Sequence, residues 1–149
     1  MANVVPYSFG KELFSAGHAF QNGSGVTYHL ALYTANNYTT ASTVYSTGAA
    51  NQVGTSGTGY STGGNTLTGN AVANQNNVAT VDFTDTSWSS ATFTAAFGVI
   101  YNSSASDKLI VVLDFGGSKS CSNGTFTISF PDPTSGSPAG TDAIISLTS

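Results

Sequence analysis

The residue types that hydrolytic and metal-dependent chemistry require are few and widely separated in this sequence. His18 and His29 are its two histidines, and Cys121 is its one cysteine. A nucleophile–histidine–acid triad needs its side chains in contact, and no Gly-x-Ser-x-Gly elbow follows a strand-like segment and opens a helix. The spacing of the histidines matches no metal-binding motif. We therefore predict no catalytic residues, no metal site and no cofactor, with His29 as a hydrogen-bonded structural histidine and Cys121 as a passive thiol.

The carboxylates form no pair suited to acid–base chemistry on a glycoside. Asp82 and Asp85 border the end of a predicted strand, where Asp commonly accepts hydrogen bonds from turn N–H groups. Asp107 and Asp114 flank another strand at an odd spacing, which predicts that they face opposite sides. The glycine-rich stretch lacks the Gly-Lys-Ser/Thr ending of a phosphate-binding loop. The alternative of an enzyme rests only on scattered Asp, His and Ser residues.

The charge balance of the chain argues against two classes of partner. Among 149 residues there are three lysines, no arginine and seven acidic residues, which gives a net charge of −4. Nucleic acids and anionic membranes both attract clustered basic residues, so we predict that the protein binds neither. Its surface of Ser, Thr, Asn and Gly suits a protein packed against copies of itself or a larger assembly, or simply a small β domain.

The start of the chain does not resemble an export signal. Pro6, Lys11, Glu12 and His18 interrupt the first 20 residues, which lack the apolar core of a signal peptide. We therefore expect no Sec-type export. A single cysteine allows no internal disulfide, and a domain of this length can fold without one.

Hydrophobic periodicity predicts an all-β chain with one short helix near its start. Phe9, Leu13 and Phe14 lie roughly on one face of that helix, which Ser8 caps and Gly17 ends. Strands are predicted at 26–33 (half-buried), 66–72, 77–83, 92–101, 108–115, 124–130 and 143–147, with a turn at 116–117. The absence of βαβ alternation favours one antiparallel, jelly-roll-like β-sandwich domain over residues 1–149.

Residues 36–64 are the least regular part of the sequence and are rich in Gly, Ser and Thr. A stretch of this length in a small domain is either an ordered functional loop or a mobile arm. Within it, residues 59–64 (GYSTGG) indicate a specified turn with one aromatic anchor. Because Tyr38, Tyr45 and Tyr60 lie in polar surroundings, we predict that they are exposed and form an interface.

Five segments, in order and spread over most of the chain, resemble a family of small tailed-phage virion proteins. They are residues 9–18 (FGKELFSAGH), 28–34 (YHLALYT), 59–64 (GYSTGG), 82–88 (DFTDTSW, followed by an Ala/Thr/Phe strand) and 112–117 (VLDFGG). The resemblance implies a non-enzymatic cement or decoration protein that binds the outer surface of the head and stabilises it. The chain departs from the family's pattern at residues 55–58 (TSGT), where a basic residue or a Glu is expected, and this leaves the role of the next turn open.

The same resemblance implies the partners and the location of the protein. The partners are the major capsid protein or other virion proteins, together with further copies of the chain in a homodimer or homotrimer. The protein is made in the host cytoplasm and ends in the virion. Many copies binding weakly at repeated shell positions would gain avidity.

A second interpretation is a glycan- or receptor-binding module of a head fibre or tail. It rests on Tyr38, Tyr45 and Tyr60, because exposed aromatic rings present an apolar face together with a polar hydroxyl. Binding to glycans would favour this interpretation, whereas binding to mature shells would favour the cement role.

Overall fold

A hairpin of two long strands is the largest feature of the fold. The computed structural model describes residues 3–21, 23–46, 49–75, 78–132 and 144–148. The elements are α1 (Tyr7–Phe14), β1 (Tyr28–Tyr33), β2 (Asn65–Leu67), β3 (Ala71–Gln75), β4 (Val78–Asp82), β5 (Thr86–Asn102), β6 (Lys108–Ile128) and β7 (Ile145–Thr148), with one turn of 3-10 helix at Ser103–Ala105. The strands β5 and β6 form the long hairpin, and the 3-10 turn lies at its tip.

The strands form two antiparallel sheets. The larger sheet has the order β2-β1-β5-β6, and the smaller sheet has the order β3-β4-β7. Each neighbouring pair is antiparallel. The predicted all-β, sandwich-like fold with one short helix is therefore confirmed.

Both faces of β1 are buried. Leu30 and Leu32 contribute to the main hydrophobic cluster, which also includes side chains of α1, β5 and β6. Ala31 and Tyr33, on the opposite face, belong to a second cluster with side chains of the loop that follows β1. The prediction of a half-buried strand is wrong, because that loop covers the face that the alternation pattern left to solvent.

The helix α1 begins at a different residue and buries a different face than predicted. It begins at Tyr7 after Pro6, whose ring fixes φ near the helical value, so Ser8 is not the N-cap. Phe9 and Glu12 are its buried residues, while Phe14 is 96% exposed. Five residues at about 100° each place Phe14 roughly 140° from Phe9 around the helix axis, which explains why Phe14 cannot share the buried face.

The described residues of the 36–64 loop lie against the larger sheet. The N–H group of Val53 donates to the carbonyl of Leu32 at 3.0 Å, and that of Leu109 donates to the carbonyl of Thr43 at 3.0 Å. At 59–64 the chain makes a tight turn, in which Gly64 has φ +75 and a Cβ would overlap the carbonyl oxygen of Leu30. These residues are an ordered loop, and the specified turn agrees with the sequence interpretation.

Two predicted boundaries are wrong. The segment 66–72 is not one strand, because the chain turns between β2 and β3 at Gly69, which has φ +64. The segment 108–115 and the first five residues of the segment 124–130 belong to the single strand β6 (Lys108–Ile128), so the predicted turn at 116–117 does not form. Between the pairs Phe97↔Asp114 and Ala95↔Lys119, β6 advances by five residues and β5 by two, so Gly116 and Gly117 lie in a bulge.

Candidate functional site

A buried polar cluster joins α1 to the tip of the β5–β6 hairpin. Nε2 of His18 lies 2.9 Å from Oε2 of Glu12, and Nδ1 of His18 lies 3.0 Å from Nδ2 of Asn102. Nζ of Lys108 lies 3.1 Å from Oε1 of Glu12. These four side chains are called the His18 network below.

The secondary structure explains how the network assembles. Glu12 follows Phe9 by almost one helical turn, so both point from α1 towards the sheet. Asn102 is the last residue of β5 and Lys108 is the first of β6, and the hairpin pairs them across its tip. His18 lies in the segment that leads from α1 towards β1 and reaches back to Glu12.

Burial and the neighbouring carboxylate shift the pKa of His18 in opposite directions. The His18 side chain has no exposed surface, and the resulting desolvation lowers its pKa below the usual 6.5, while the hydrogen bond to the Glu12 carboxylate and the charge of that carboxylate raise the pKa by less. The neutral imidazole can donate from Nε2 to the Glu12 carboxylate and accept at Nδ1 from the Asn102 amide. Lys108 supplies the positive charge that balances Glu12.

The His18 network lacks the hydroxyl or thiol nucleophile of a hydrolytic triad. A hydrolytic triad needs a hydroxyl or thiol on one imidazole nitrogen and an acid on the other. Glu12 supplies an acid, but the second nitrogen meets the Asn102 amide, which does not attack carbonyl groups. The ring of Phe9 lies 5.4 Å and that of Phe20 6.0 Å from the imidazole. In this arrangement, the network can hold α1 against the hairpin and can take up a proton.

His29 and Cys121 are not part of this cluster. The His29 ring stacks on Tyr101 with ring centres 5.4 Å apart, and burial lowers its pKa below 6.5, although the charge of Asp107 opposes that shift. The hydrogen bond predicted for His29 remains a prediction. Cys121 is a free, partly buried thiol that packs against the main cluster.

The predicted interface tyrosines are buried. Tyr38, Tyr45 and Tyr60 are only 7%, 5% and 3% exposed, so the prediction that they project into solvent is wrong. The reason is that an aromatic ring in a polar loop can anchor that loop on the sheet. The Tyr45 ring stacks on Tyr101 at 4.1 Å, and the Tyr60 hydroxyl accepts the N–H of Leu32 at 3.0 Å. Their role in an interface stays a prediction.

The tyrosine hydroxyls form a connected set beneath the loop. Tyr33 and Tyr38 share a hydrogen bond of 2.8 Å. Gln52 donates from Nε2 to Tyr45 at 2.9 Å and to Tyr60 at 3.1 Å. Burial raises the pKa of Tyr33 and Tyr60, so both hydroxyls stay protonated at neutral pH. These hydroxyls satisfy buried polar groups and do not act as acids.

The acidic residues cluster without forming a metal site. Burial raises the pKa of Asp82 above its usual 3.8, and the charges of Asp132 and Asp85 raise it further. Asp85 accepts the N–H of Phe130 at 2.8 Å, a residue 45 positions away in the chain, so this bond is not the local turn bond predicted for Asp82 and Asp85. In the part of the chain that the structure describes, no group of three His, Cys, Asp or Glu side chains could hold a metal ion.

Two surface depressions could take a ligand or a partner side chain. A cleft of about 430 Å³ lies beside β6 and is lined by aromatic rings, including Phe115 and Phe130, and by Asp114 and Lys119. A smaller pocket of about 160 Å³ lies between α1 and the smaller sheet and is lined almost entirely by apolar side chains. The second is called the α1 pocket below.

The sequence interpretation missed Glu12 and Asn102 as partners of His18. A carboxylate on the inward face of a short amphipathic helix was the available signal for Glu12, because a buried charge needs a partner. No local signal identified Asn102, which lies 84 positions from His18 in the chain.

Comparison with known proteins adds no family assignment. The chain matches no protein-family model, no curated protein and no solved structure. Among the described residues, no helix is long and apolar enough to cross a membrane.

Proposed function

We propose that the protein is a non-enzymatic virion structural protein that binds the outer surface of a phage head and stabilises it. The observation that carries this proposal is a group of exposed apolar side chains along the outer edge of β6. Val5, Tyr7 and Val44 are 49%, 77% and 48% exposed, respectively. Exposed apolar groups that lie together mark sites of protein–protein contact. These three residues are called the edge patch below.

Backbone pairing holds the edge patch in place. Val4 forms two hydrogen bonds with Val112 of β6, and Val44 forms an isolated bridge with Lys108 of the same strand. The N–H of Tyr7 donates to the carbonyl of Thr40 at 2.9 Å, which joins the two segments to each other. The patch is thus presented by a sheet edge, whose fixed backbone lowers the conformational entropy lost on binding.

The positions of the polar groups also support a binding role. His18, with its acid partner, is enclosed between α1 and the hairpin, and its second nitrogen is occupied by Asn102. The tyrosines of the 36–64 loop are engaged in holding that loop. Among the described residues, the exposed surface consists mostly of small polar residues and apolar groups with few charges, which suits contact with a shell.

The partners follow from the same proposal. The edge patch would contact the major capsid protein or another virion protein, and the protein would reach the virion after synthesis in the host cytoplasm. The resemblance of residues 9–18, 59–64 and 112–117 to small tailed-phage virion proteins supports this choice of partner.

A second candidate function is glycan binding, which we assign to the cleft beside β6. The buried Tyr38, Tyr45 and Tyr60 do not present rings to a sugar in this structure. The cleft instead combines Phe115 and Phe130 with Asp114 and Lys119. A pocket with apolar walls and a few polar groups is the usual form of a small-ligand site.

Co-sedimentation with purified phage heads tests the proposed function. Wild-type protein at nanomolar concentration is mixed with mature heads of the phage whose genome carries it, and the bound fraction is measured. We expect saturable binding, and the double variant Tyr7→Ser/Val44→Ser should weaken it about tenfold or more, as loss of buried interface side chains does. Val72→Ser is the matched control, because it changes an exposed valine on β3 of the smaller sheet.

The outcomes separate the two functions. Failure of the wild type to bind heads contradicts the cement role. If Val72→Ser weakens head binding as much as Tyr7→Ser/Val44→Ser does, the edge patch is not the surface that binds the head. Glycan binding would be supported if the wild type does not bind heads but gives a signal on a glycan array, and if Phe130→Ala abolishes that signal.

A further inference from the structure

The outer edge of β6 is open along its last residues. The larger sheet ends at β6, and the described pairs on the outer side of that strand are Val4↔Val112 and Val44↔Lys108. No described segment pairs with this side over residues 124–128 (GTFTI), which contain neither a charged residue nor a proline. Proteins usually protect or cover such an edge, because its free N–H and C=O groups attract another strand. This stretch is called the open edge below.

The faces of the side chains show which backbone groups of the open edge point outward. Val112 directs its N–H and C=O groups outward to Val4, and its side chain belongs to the second hydrophobic cluster. Phe126 lies on the other face, in the main cluster. Because side-chain face and hydrogen-bond direction alternate together along a strand, the exposed Thr125 and Thr127 direct their N–H and C=O groups away from β5.

The cleft beside β6 adjoins the open edge. Unlike the α1 pocket, it is lined by residues of this edge strand on both sides of the bulge, including Phe115 before it and Phe126 after it. Both rings pack in or against the main cluster. A strand added along the open edge would direct every second side chain to the same face, where the cleft can receive one of them.

We propose that the open edge binds an extended segment of the protein that the edge patch contacts, as an added β-strand with one apolar side chain in the cleft. An extended polypeptide supplies alternating N–H and C=O groups at strand spacing, which a sugar or a helix face does not. The edge patch and the open edge follow the same side of β6, so one partner can reach both. The inference rests on the proposed function for the identity of the partner only.

Lys119 gives the segment a charge preference. It is exposed, lines the cleft and forms no ion pair in the described part of the chain. The nearby carboxylate of Asp114 accepts the N–H of Gly116 at 2.9 Å. An acidic residue in the bound segment would pair with Lys119, so we expect the segment to carry apolar and acidic side chains.

A second copy of the chain fits the open edge less well. Two antiparallel copies could pair over the open edge itself, but the ladder could not continue far, because Pro131 has no N–H group and the N–H of Phe130 is bound to Asp85. Such a short ladder buries far less than the roughly 800 Å² per partner of a stable interface. A segment of the partner adds its contacts to those of the edge patch and does not need to reach that area alone.

Hydrogen exchange of the Thr125 and Thr127 amides tests the proposal with two probes. The first probe is mature heads, and the second is a short capped peptide of alternating valine and threonine with one central aspartate, at about 1 mM. In the free protein both amides should exchange quickly. Either probe should slow their exchange at least about tenfold and leave the amides of β3 unchanged, and N-methyl groups on the pairing edge of the peptide should abolish its effect.

Thr127→Pro removes one outward N–H group and places a ring on the open edge, a position at which an edge strand tolerates proline. It should weaken head binding at least about tenfold, whereas the matched control Thr127→Ala keeps the N–H group and should bind within about twofold of the wild type. Lys119→Glu should weaken binding about threefold or more, and it replaces Thr127→Pro as the test if circular dichroism shows that the proline variant is unfolded.

The two probes separate this inference from the proposed function. Protection by the peptide without head binding supports the open edge and contradicts the cement role. Head binding without protection of Thr125 and Thr127 overturns the open edge and leaves the cement role. Slow exchange in the free protein, protection by neither probe, or equal losses in Thr127→Pro and Thr127→Ala also overturn it, as does a dimer in sedimentation equilibrium that protects these amides.

Discussion

At the scale of single residues, His18 shows how one buried imidazole can link separate segments. Its Nδ1 can accept a hydrogen bond from the Asn102 amide at the hairpin tip, and its Nε2 can donate one to the Glu12 carboxylate of α1. A buried hydrogen-bonded network of this kind is stable only while its donors and acceptors match. Protonation of Nδ1 would place its new N–H group against the Asn102 amide, which is also a donor. The protonation state of His18 therefore affects how well α1 packs against the hairpin.

The stability of the protein should fall when His18 takes up a proton. Its pKa in the folded protein is lowered below 6.5, so the unfolded chain binds more protons between those two values, and stability declines as the pH falls through 6.5. Urea titrations from pH 7.5 to 5.5 should show this decline, limited to about 1.4 kcal/mol per pH unit for one proton. His18→Gln should flatten the slope.

His29→Gln provides the comparison for that experiment. The pKa of His29 is also lowered by burial, so it contributes a slope of the same sign, and its removal leaves the His18 contribution intact. Identical slopes in the wild type and His18→Gln would contradict the pKa direction assigned to His18. Glu12 and Lys108 are the charged groups that face His18 in the described structure.

At the scale of elements, the 36–64 loop is held by side chains that hydrogen-bond to the sheet. Tyr60 is the clearest case, because its hydroxyl accepts the backbone N–H of Leu32 at 3.0 Å and the amide of Gln52 at 3.1 Å. Leu32 has no exposed surface, so its N–H group has no access to water. The loop is therefore part of the packing of β1.

Tyr60→Phe should lower the free energy of unfolding by about 1–3 kcal/mol, because it leaves the buried N–H of Leu32 without an acceptor. Chemical denaturation monitored by fluorescence measures the change. Tyr7→Phe removes a hydroxyl from an exposed tyrosine and should change stability by less than about 0.5 kcal/mol. Equal effects of the two substitutions would show that the hydroxyl of Tyr60 is not structurally important.

Most strands could be predicted from the sequence, and the failures have local physical causes. The alternation in 26–33 and the apolar run in 108–115 were sufficient to place β1 and the start of β6. The alternation fails at Ser89 and Ser90, where β5 carries one extra residue opposite β6, so the predicted strand begins at 92 and not at Thr86. The Gly116–Gly117 pair has the composition of a turn and the structure of a bulge.

The candidate site was less predictable than the fold. The burial of Tyr38, Tyr45 and Tyr60 depends on a loop folding back across the sheet, and the local polarity of that loop suggests the opposite. Contacts such as that between His18 and Asn102 join distant segments, for which periodicity carries no information. The single-face prediction for α1 failed at Phe14 because this residue lies about 140° from Phe9 around the helix axis, away from the buried face.

At the scale of the whole molecule, packing and neutral hydrogen bonds hold the fold, and few charges contribute. Charged residues make up 7% of the chain. The one Lys–carboxylate pair within the described ranges is Lys108–Glu12, whose Glu12 side chain is mostly buried. Added salt screens mainly exposed charges, so it should have little effect on the stability of this protein.

The free energy of unfolding should therefore change by less than about 1 kcal/mol between 0.05 and 0.5 M NaCl. Thermal or urea denaturation at several salt concentrations measures this, at protein concentrations below 1 μM so that association does not contribute. Lys108→Met, which removes the described ion pair, should destabilise the protein at both salt concentrations by a similar amount. A loss of several kcal/mol in high salt would show that surface charges are important for stability.

The irregular ladder of the hairpin also determines how the chain can change length. Between Trp88↔Phe126 and Ala91↔Gly124, β5 gains one residue, and between Ala91↔Gly124 and Phe93↔Cys121, β6 gains one. Deleting Ser90 alone would place Trp88 two positions from Ala91, so the ladder would become regular there while the buried Trp88 stayed opposite Phe126. Where the two strands advance in step, a one-residue insertion or deletion would exchange the inner and outer faces of everything beyond it. The bulges are therefore the positions at which this hairpin can lose a single residue without that exchange.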